Sequence, residues 1–263
     1  VLDFVLMIPI PLGVAGAAIA TVISQGVSGV ICLFYMKKKF MILHGERDDW
    51  RIRAPYVKKL CGIGIPMGLQ YSITAIGTLV ITAAVNALGS IAVAGVTAAQ
   101  KINALITCPI ESLGQTMAPY VGQNIGAGKK DRVSDGLKKA SICGFVWSGI
   151  CIPIVLLLGR PMTMLFLSEP NPEMVEYSFL YLLVGTLGYC LLTLVNTVRF
   201  SIQGLGFSSF AMTAGVLEMI ARMLAGVVLA PLMGFMGICL ANVLAWIFAD
   251  LFLIPAFRHC IKK

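Results

Sequence analysis

The chain reads as a series of long apolar runs separated by short polar connections. Seven runs stand out, at 14–36, 57–88, 91–122, 138–159, 174–200, 207–230 and 234–256. Each exceeds the roughly 18 residues that cross a hydrocarbon layer about 30 Å thick, a length that a buried helix of a soluble protein seldom needs. Barrel strands would alternate apolar and polar positions over segments of about ten residues. These runs are instead continuous and rich in Leu, Ile, Val and Ala, so the pattern predicts helices. The runs 57–88 and 91–122 exceed a bare crossing and contain Pro66 and Pro109, which predicts tilt or a kink. The expected fold class is an all-α membrane protein with about seven transmembrane helices.

Composition agrees with the pattern. Hydrophobic residues make up 58% of the 263 positions and charged residues 12%, with a mean hydropathy of +0.90. Soluble domains are usually about 25% charged. The net charge of +8 has a topological explanation. Lys37, Lys38, Lys39, Arg47, Arg51, Arg53, Lys58 and Lys59 share one connection. Lys129, Lys130, Arg132, Lys138 and Lys139 stand two spans later, and Arg258, Lys262 and Lys263 form the tail. The opposite connections, around NALGSIAVAG and SEPNPEMVEYS, hold no Lys or Arg apart from Arg160 at a helix end. The positive-inside rule therefore predicts a multi-pass protein of the cell's inner (plasma) membrane, with basic loops and C-terminus in the cytoplasm. The basic clusters read as topology signal and headgroup contact, with no need for nucleic acid.

Cysteine and histidine add no chemistry. The eight cysteines, from Cys32 to Cys260, fall in spans or on the cytoplasmic side, as small packing residues in a reducing context. His44 and His259 share no ligand spacing, so neither a metal site nor a cofactor is expected.

Polar residues inside the spans carry the functional expectation, because each is costly there. Glu218 and Arg222 stand four apart in LEMIAR and can pair along one helix face, as a strut or as part of a proton or substrate path. Glu111 and Gln115 share a face in PIESLGQT, where a structural hydrogen bond and a cavity lining are equally open. Lys101 and Asn103 lie deeper than a lysine that snorkels, and Asn196 joins the same set. Arg199 is expected to snorkel at the cytoplasmic end of its span, and Asp250 to meet headgroups or Arg258. Beyond Pro66 stand Gln70, Tyr71, Ser72 and Thr74. Their side chains can satisfy the carbonyl the proline frees, or line a cavity in which Met67 and Tyr71 offer soft and aromatic surface to flat cations.

The ends of the chain repeat each other. GVAGAAIATV at 13–22 and GFMGICLANV at 234–243 pair Gly13 with Gly234, Gly16 with Gly237, Ala20 with Ala241 and Val22 with Val243 at one offset. Small residues at this spacing are common where membrane helices pack. Both copies also follow a short turn with proline, PLG and PLMG, and both open a span running toward a basic end. The leading VLDFVLMIPIPLG has no basic n-region and no cleavage site, and reads as the end of an earlier helix. Two parallel six-helix repeats are thus expected, with five helices of the first lying upstream of residue 14.

These residues resemble the multidrug and toxic compound extrusion (MATE) transporters of the MOP flippase superfamily. The resemblance rests on GVAGAAIATVISQ at 13–25, GIPMGLQYSITAIGTLV at 64–80, APYVGQNIGAGKKDR at 118–132 and RFSIQGLGFSS at 199–209. It implies that residues 1–36 end an N-terminal lobe whose last helix is 14–36. Residues 37–59 would connect the lobes in the cytoplasm, 60–256 would form the six-helix C-terminal lobe, and 257–263 a cytoplasmic tail. It further implies multidrug efflux by cation-coupled antiport, with H⁺ or Na⁺ as coupling ion and no other cofactor. Organic, mainly cationic substrates would be exported by alternating access. The partners implied are the lipid bilayer, the small cations and the missing N-terminal lobe.

The chain also departs from the family. Acids carried by some branches fall at positions matching Thr74 and about Leu192, and both acids are absent. Coupling acids are therefore expected upstream. Two alternatives stay open: a flippase for lipid-linked precursors, and a partial chain without transport of its own. The first would need several cations facing the cavity, and the spans offer few beyond Lys101 and Arg222. An enzyme is not expected, since the Gly-rich QNIGAGKK lacks phosphate-loop spacing and no nucleophile–base pair appears.

Overall fold

A computed structural model describes residues 2–7, 13–40, 51–167 and 171–262. The expected proline turn before Gly13, His44 and Arg47 in the basic connection, and Lys263 lie outside the described residues. The chain divides into two units, Val1–Lys58 and Lys59–Lys263.

The first unit pairs a short helix α1 (Leu2–Met7) with a long helix α2 (Gly13–Lys39). Helix α2 has 27 residues, about 40 Å at 1.5 Å per residue, enough to cross a bilayer. Its middle exposes Val22, Ile23, Val27, Val30, Ile31 and Phe34, an apolar surface suited to lipid or to another helix. Lys37, Lys38 and Lys39 close it, where positive charge complements the helix dipole.

The second unit contains all but the first turn of α3 (Ala54–Ala87), then α4 (Ser90–Gly126), α5 (Lys130–Phe166), α6 (Pro172–Leu187), α7 (Tyr189–Gly204), α8 (Ser208–Leu224), α9 (Ala230–Met233) and α10 (Phe235–Cys260). Among the described residues of the chain, six helices are long and apolar enough to cross a membrane, or seven if the bent pair α6 and α7 forms one span. This is the all-α membrane architecture that the hydrophobic runs predict. Two irregularities depart from uninterrupted helices. The run 174–200 is broken at Gly188 by a 54° bend between α6 and α7. The run 207–230 passes through a π-helical turn, Ala225–Leu229, before Pro231.

Turns fall where glycine permits them. In QNIGAGKK, α4 ends as Lys129 N–H donates to the Asn124 carbonyl (2.8 Å) around Gly128, whose φ of 73° lies in the left-handed region. The GLGF segment repeats the device: Phe207 N–H donates to the Ile202 carbonyl (3.2 Å) around Gly206, with φ 88°. Both glycine motifs are thus helix-ending turns.

Helices α4 and α10 organise the packing. Helix α4 lies against α5, α6 and α7, and α10 against α6, α7 and α8. Their meeting faces bury Ile102, Ile110, Val121, Leu182, Tyr189, Ile202, Ile238 and Leu253. Lipid offers no hydrophobic drive for helices to associate, so small residues and hydroxyls do the joining. A Cβ on Gly204 would stand 2.6 Å from the Ala118 carbonyl oxygen, so α4 and α7 approach closely only with glycine there. Thr163 and Ser178 bond across α5 and α6 at 2.9 Å, and Ser141 and Thr197 meet across α5 and α7 at 3.4 Å. Near Pro109, which lies inside α4, the Ile106 carbonyl accepts from the Trp147 indole N–H of α5 (2.9 Å).

The Gly-Ala repeat marks the starts of two long helices. Gly13 opens α2, and Gly234 (φ 59°) precedes α10, where Gly237 packs against the Leu229 backbone.

Candidate functional site: a polar cleft in the second unit

A cleft of about 280 Å³ opens among α3, α4, α7, α8 and α10. Helix α3 contributes Gln70, Tyr71 and Thr74; α4 contributes Glu111 and Gln115, four apart on one face. Helix α7 adds Asn196 and Arg199, α8 adds Glu218 and Arg222, and Trp246 of α10 forms an aromatic wall. Tyr71, Glu111 and Gln115 are exposed, so the cleft has an open side along α3 and α4. Its opposite wall is buried and charged.

That wall is a hydrogen-bonded chain across four helices. The Glu218 carboxylate accepts from Arg199 Nη2 on one oxygen and from Arg222 Nη1 (3.3 Å) on the other. Arg222 Nε donates to Asn242 Oδ1 (3.3 Å), and Asn242 Nδ2 donates to the Tyr181 hydroxyl (3.0 Å). Glu218, Arg199 and Arg222 are 2%, 8% and 7% exposed, so none of these charges is solvated as it would be in water. Ions so placed persist because each finds opposite charge and donors, and losing one partner strands the other. Helix α3 is tied to this wall by Gln203 Nε2, which donates to Gln70 Oε1 (2.9 Å). Gly77 and Gly215 let α3 and α8 meet, since a Cβ on either would press within 3.2 Å of the facing helix.

A family model described as MatE matches residues 66–232 of this chain, more than half its length. The chain belongs to the MatE family. Among curated relatives it is 31% identical over 162 residues to the probable multidrug resistance protein YpnP of Bacillus subtilis, covering 61% of this chain and 36% of that protein. It is 24% identical over 171 residues to the multidrug export protein MepA of Staphylococcus haemolyticus, covering 65% of this chain and 38% of that one. Its fold matches, with a TM-score of 0.89 and 18% identity, an outward-facing multidrug resistance MATE family transporter of the MOP superfamily, over 99% of this chain and 59% of that chain. These curated relatives are therefore matched over less than half of their own length.

Within this MatE fold the residues singled out by sequence separate into two groups. Gln70, Tyr71, Thr74, Glu111, Gln115, Asn196, Glu218 and Arg222 all line the one cleft. Met67 is half-buried one turn before Tyr71 and outside the lining. Lys101 is exposed elsewhere on α4, and the Asn103 side chain accepts from the Tyr189 hydroxyl (2.6 Å) as a packing bond. Ser72 donates to the Gly68 carbonyl (3.2 Å), and Thr74 Oγ1 is buried without a partner at the cleft.

Two expectations are corrected. Arg199 does not snorkel: the end of α7 is covered by α3 and α8, and the guanidinium is buried against Glu218. Asp250 does not reach headgroups or Arg258. It is 5% exposed, buried within the packed face of α10, and it interacts electrostatically with Arg199.

Proposed function

We propose that this MatE chain forms the C-terminal half of the path of a multidrug exporter, which moves organic cations outward by cation-coupled antiport. The observation that supports it most is the cleft itself. It sets aromatic surface (Tyr71, Trp246), amides (Gln70, Gln115, Asn196) and one exposed carboxylate (Glu111) around a space of about 280 Å³. Such a wall suits flat organic cations, which gain from aromatic faces and from a nearby negative charge. The names of the relatives point the same way. In this reading residues 1–36 close an N-terminal lobe, 37–59 connect the lobes, 60–256 form the C-terminal lobe and 257–263 the tail. Alternating access works between that lobe and its upstream counterpart, in the bilayer of the plasma membrane. The basic connections and the C-terminus face the cytoplasm, and H⁺ or Na⁺ supplies the drive.

The test uses full-length protein, upstream sequence included, in lipid vesicles loaded with ethidium. The expected result is ethidium movement that requires either a proton or a sodium gradient. Absence of movement under both gradients rejects the exporter reading.

A further inference from the structure

Two buried groups of complementary chemistry are left over beside the cleft. Neither oxygen of Asp250 accepts a hydrogen bond, and the Arg199 Nε–H has no acceptor although Nη2 of the same guanidinium is held by Glu218. Asp250 and Arg199 interact electrostatically across the α7–α10 contact. An ionised carboxylate without a donor is costly to bury. The arrangement seen here therefore suits a protonated Asp250, and the ionised form has an unused donor waiting in Arg199.

Formal charge sharpens the point. With Asp250 protonated, Arg199 and Arg222 face Glu218 alone and the cluster carries one net positive charge. With Asp250 ionised, two arginines face two carboxylates and the cluster is neutral. From α7 the group facing Asp250 is Arg199. Helix α8 brings Glu218 and Arg222, both bound into the same chain, and α6 brings Tyr181, whose hydroxyl is held by Asn242. Tyr71 of α3 also interacts with Arg199. The helices that carry the arginines are both irregular. Helix α7 starts at the 54° bend at Gly188, and the π-helical turn begins three residues beyond Arg222. Such breaks are where packed helices can hold two discrete arrangements.

We infer that Asp250 is a proton-carrying acid of the transport cycle: ionised, it takes Arg199 from Glu218; protonated, it returns Arg199 and leaves a positive charge beside the cleft. Asp250 lines a separate apolar cavity of about 300 Å³ with Leu191, Ile247 and Ile254 and meets the cleft only through Arg199; its proton is exchanged with water, and no other bond is made or broken. A cationic substrate and the proton then disfavour one another through that charge, which is the condition for exchange. This rests on the exporter reading, and it places an acid in the second unit although the positions at Thr74 and Leu192 lack one.

The experiment titrates ethidium into detergent-solubilised full-length protein in weak buffer and follows released protons with an indicator dye. Wild type is expected to release about one proton per ethidium bound. Asp250→Asn is expected to bind ethidium and lose that release, and Asp250→Glu, which keeps a carboxyl in place, to restore it. Equal release from wild type and Asp250→Asn overturns the inference. A wild type that binds no ethidium counts against the exporter reading instead, and Asp250 is then judged by infrared spectroscopy. Between acidic and alkaline solution the wild type should lose a protonated-carboxyl stretch that Asp250→Asn never shows. The same band in both proteins overturns the assignment.

Discussion

Glu218→Gln is expected to destabilise the full-length protein by about 3–5 kcal/mol, the usual cost of removing one partner from a buried ion cluster. Glu218 is the one carboxylate that both Arg199 and Arg222 hydrogen-bond, and all three side chains are buried. Glutamine keeps the shape but offers a single weak acceptor, leaving Arg222 without a carboxylate and Arg199 with none but the nearby Asp250. The effect should appear as a lowered melting temperature in detergent. Adding Arg199→Gln should recover part of the loss, because one stranded charge is removed with the other. A single variant that melts with the wild type, or a double variant whose losses simply add, would show that Glu218 does not hold the two arginines.

Gln115→Trp carries the largest expected functional effect. Gln115 is exposed on α4 and lines the cleft, so a larger side chain there has room to leave the core packing undisturbed while filling the space. Ethidium affinity of the full-length protein should fall at least tenfold, about 1.4 kcal/mol. The melting temperature should stay near that of wild type. Unchanged affinity in a folded variant would move the binding site out of this cleft.

Much of this molecule is legible in its sequence, because bilayer thickness imposes a length on apolar runs that the order of residues reports directly. Each of the seven runs is helical over nearly all of its length. Events inside a run are harder to read. The bend at Gly188 lies in LVGTLGYC, where nothing but glycine among apolar residues signals it. The π-helical turn at Ala225–Leu229 has no signal beyond the proline that follows it.

The cleft is legible for a related reason. A polar side chain in an apolar run needs company or water: Gln70 bonds Gln203, Glu218 bonds Arg199 and Arg222, and Glu111, Gln115 and Asn196 face the same cleft. Lys101 falls outside because it stands ten residues from Glu111, roughly 15 Å along the helix axis. Arg199 lies elsewhere than expected because closeness to a helix end is not closeness to water, and Asp250 because α10 runs ten residues beyond it, to Cys260. The Gln70–Gln203 bond shows α3 covering that end of α7, and tertiary cover of this kind has no local trace. The spacing of Arg199 and Gln203, two polar residues on one face of α7, is the available hint.

Organic cations are expected to sit in the cleft between α3 and α4 on one side and the Arg199–Glu218–Arg222 wall on the other. Photolabelling full-length protein with an azido derivative of ethidium, followed by mass-spectrometric mapping, tests it most directly. Labels are expected on the segments Gln70–Thr74 and Glu111–Gln115, suppressed by excess unlabelled ethidium. Suppressible labelling found only outside these two segments would contradict it.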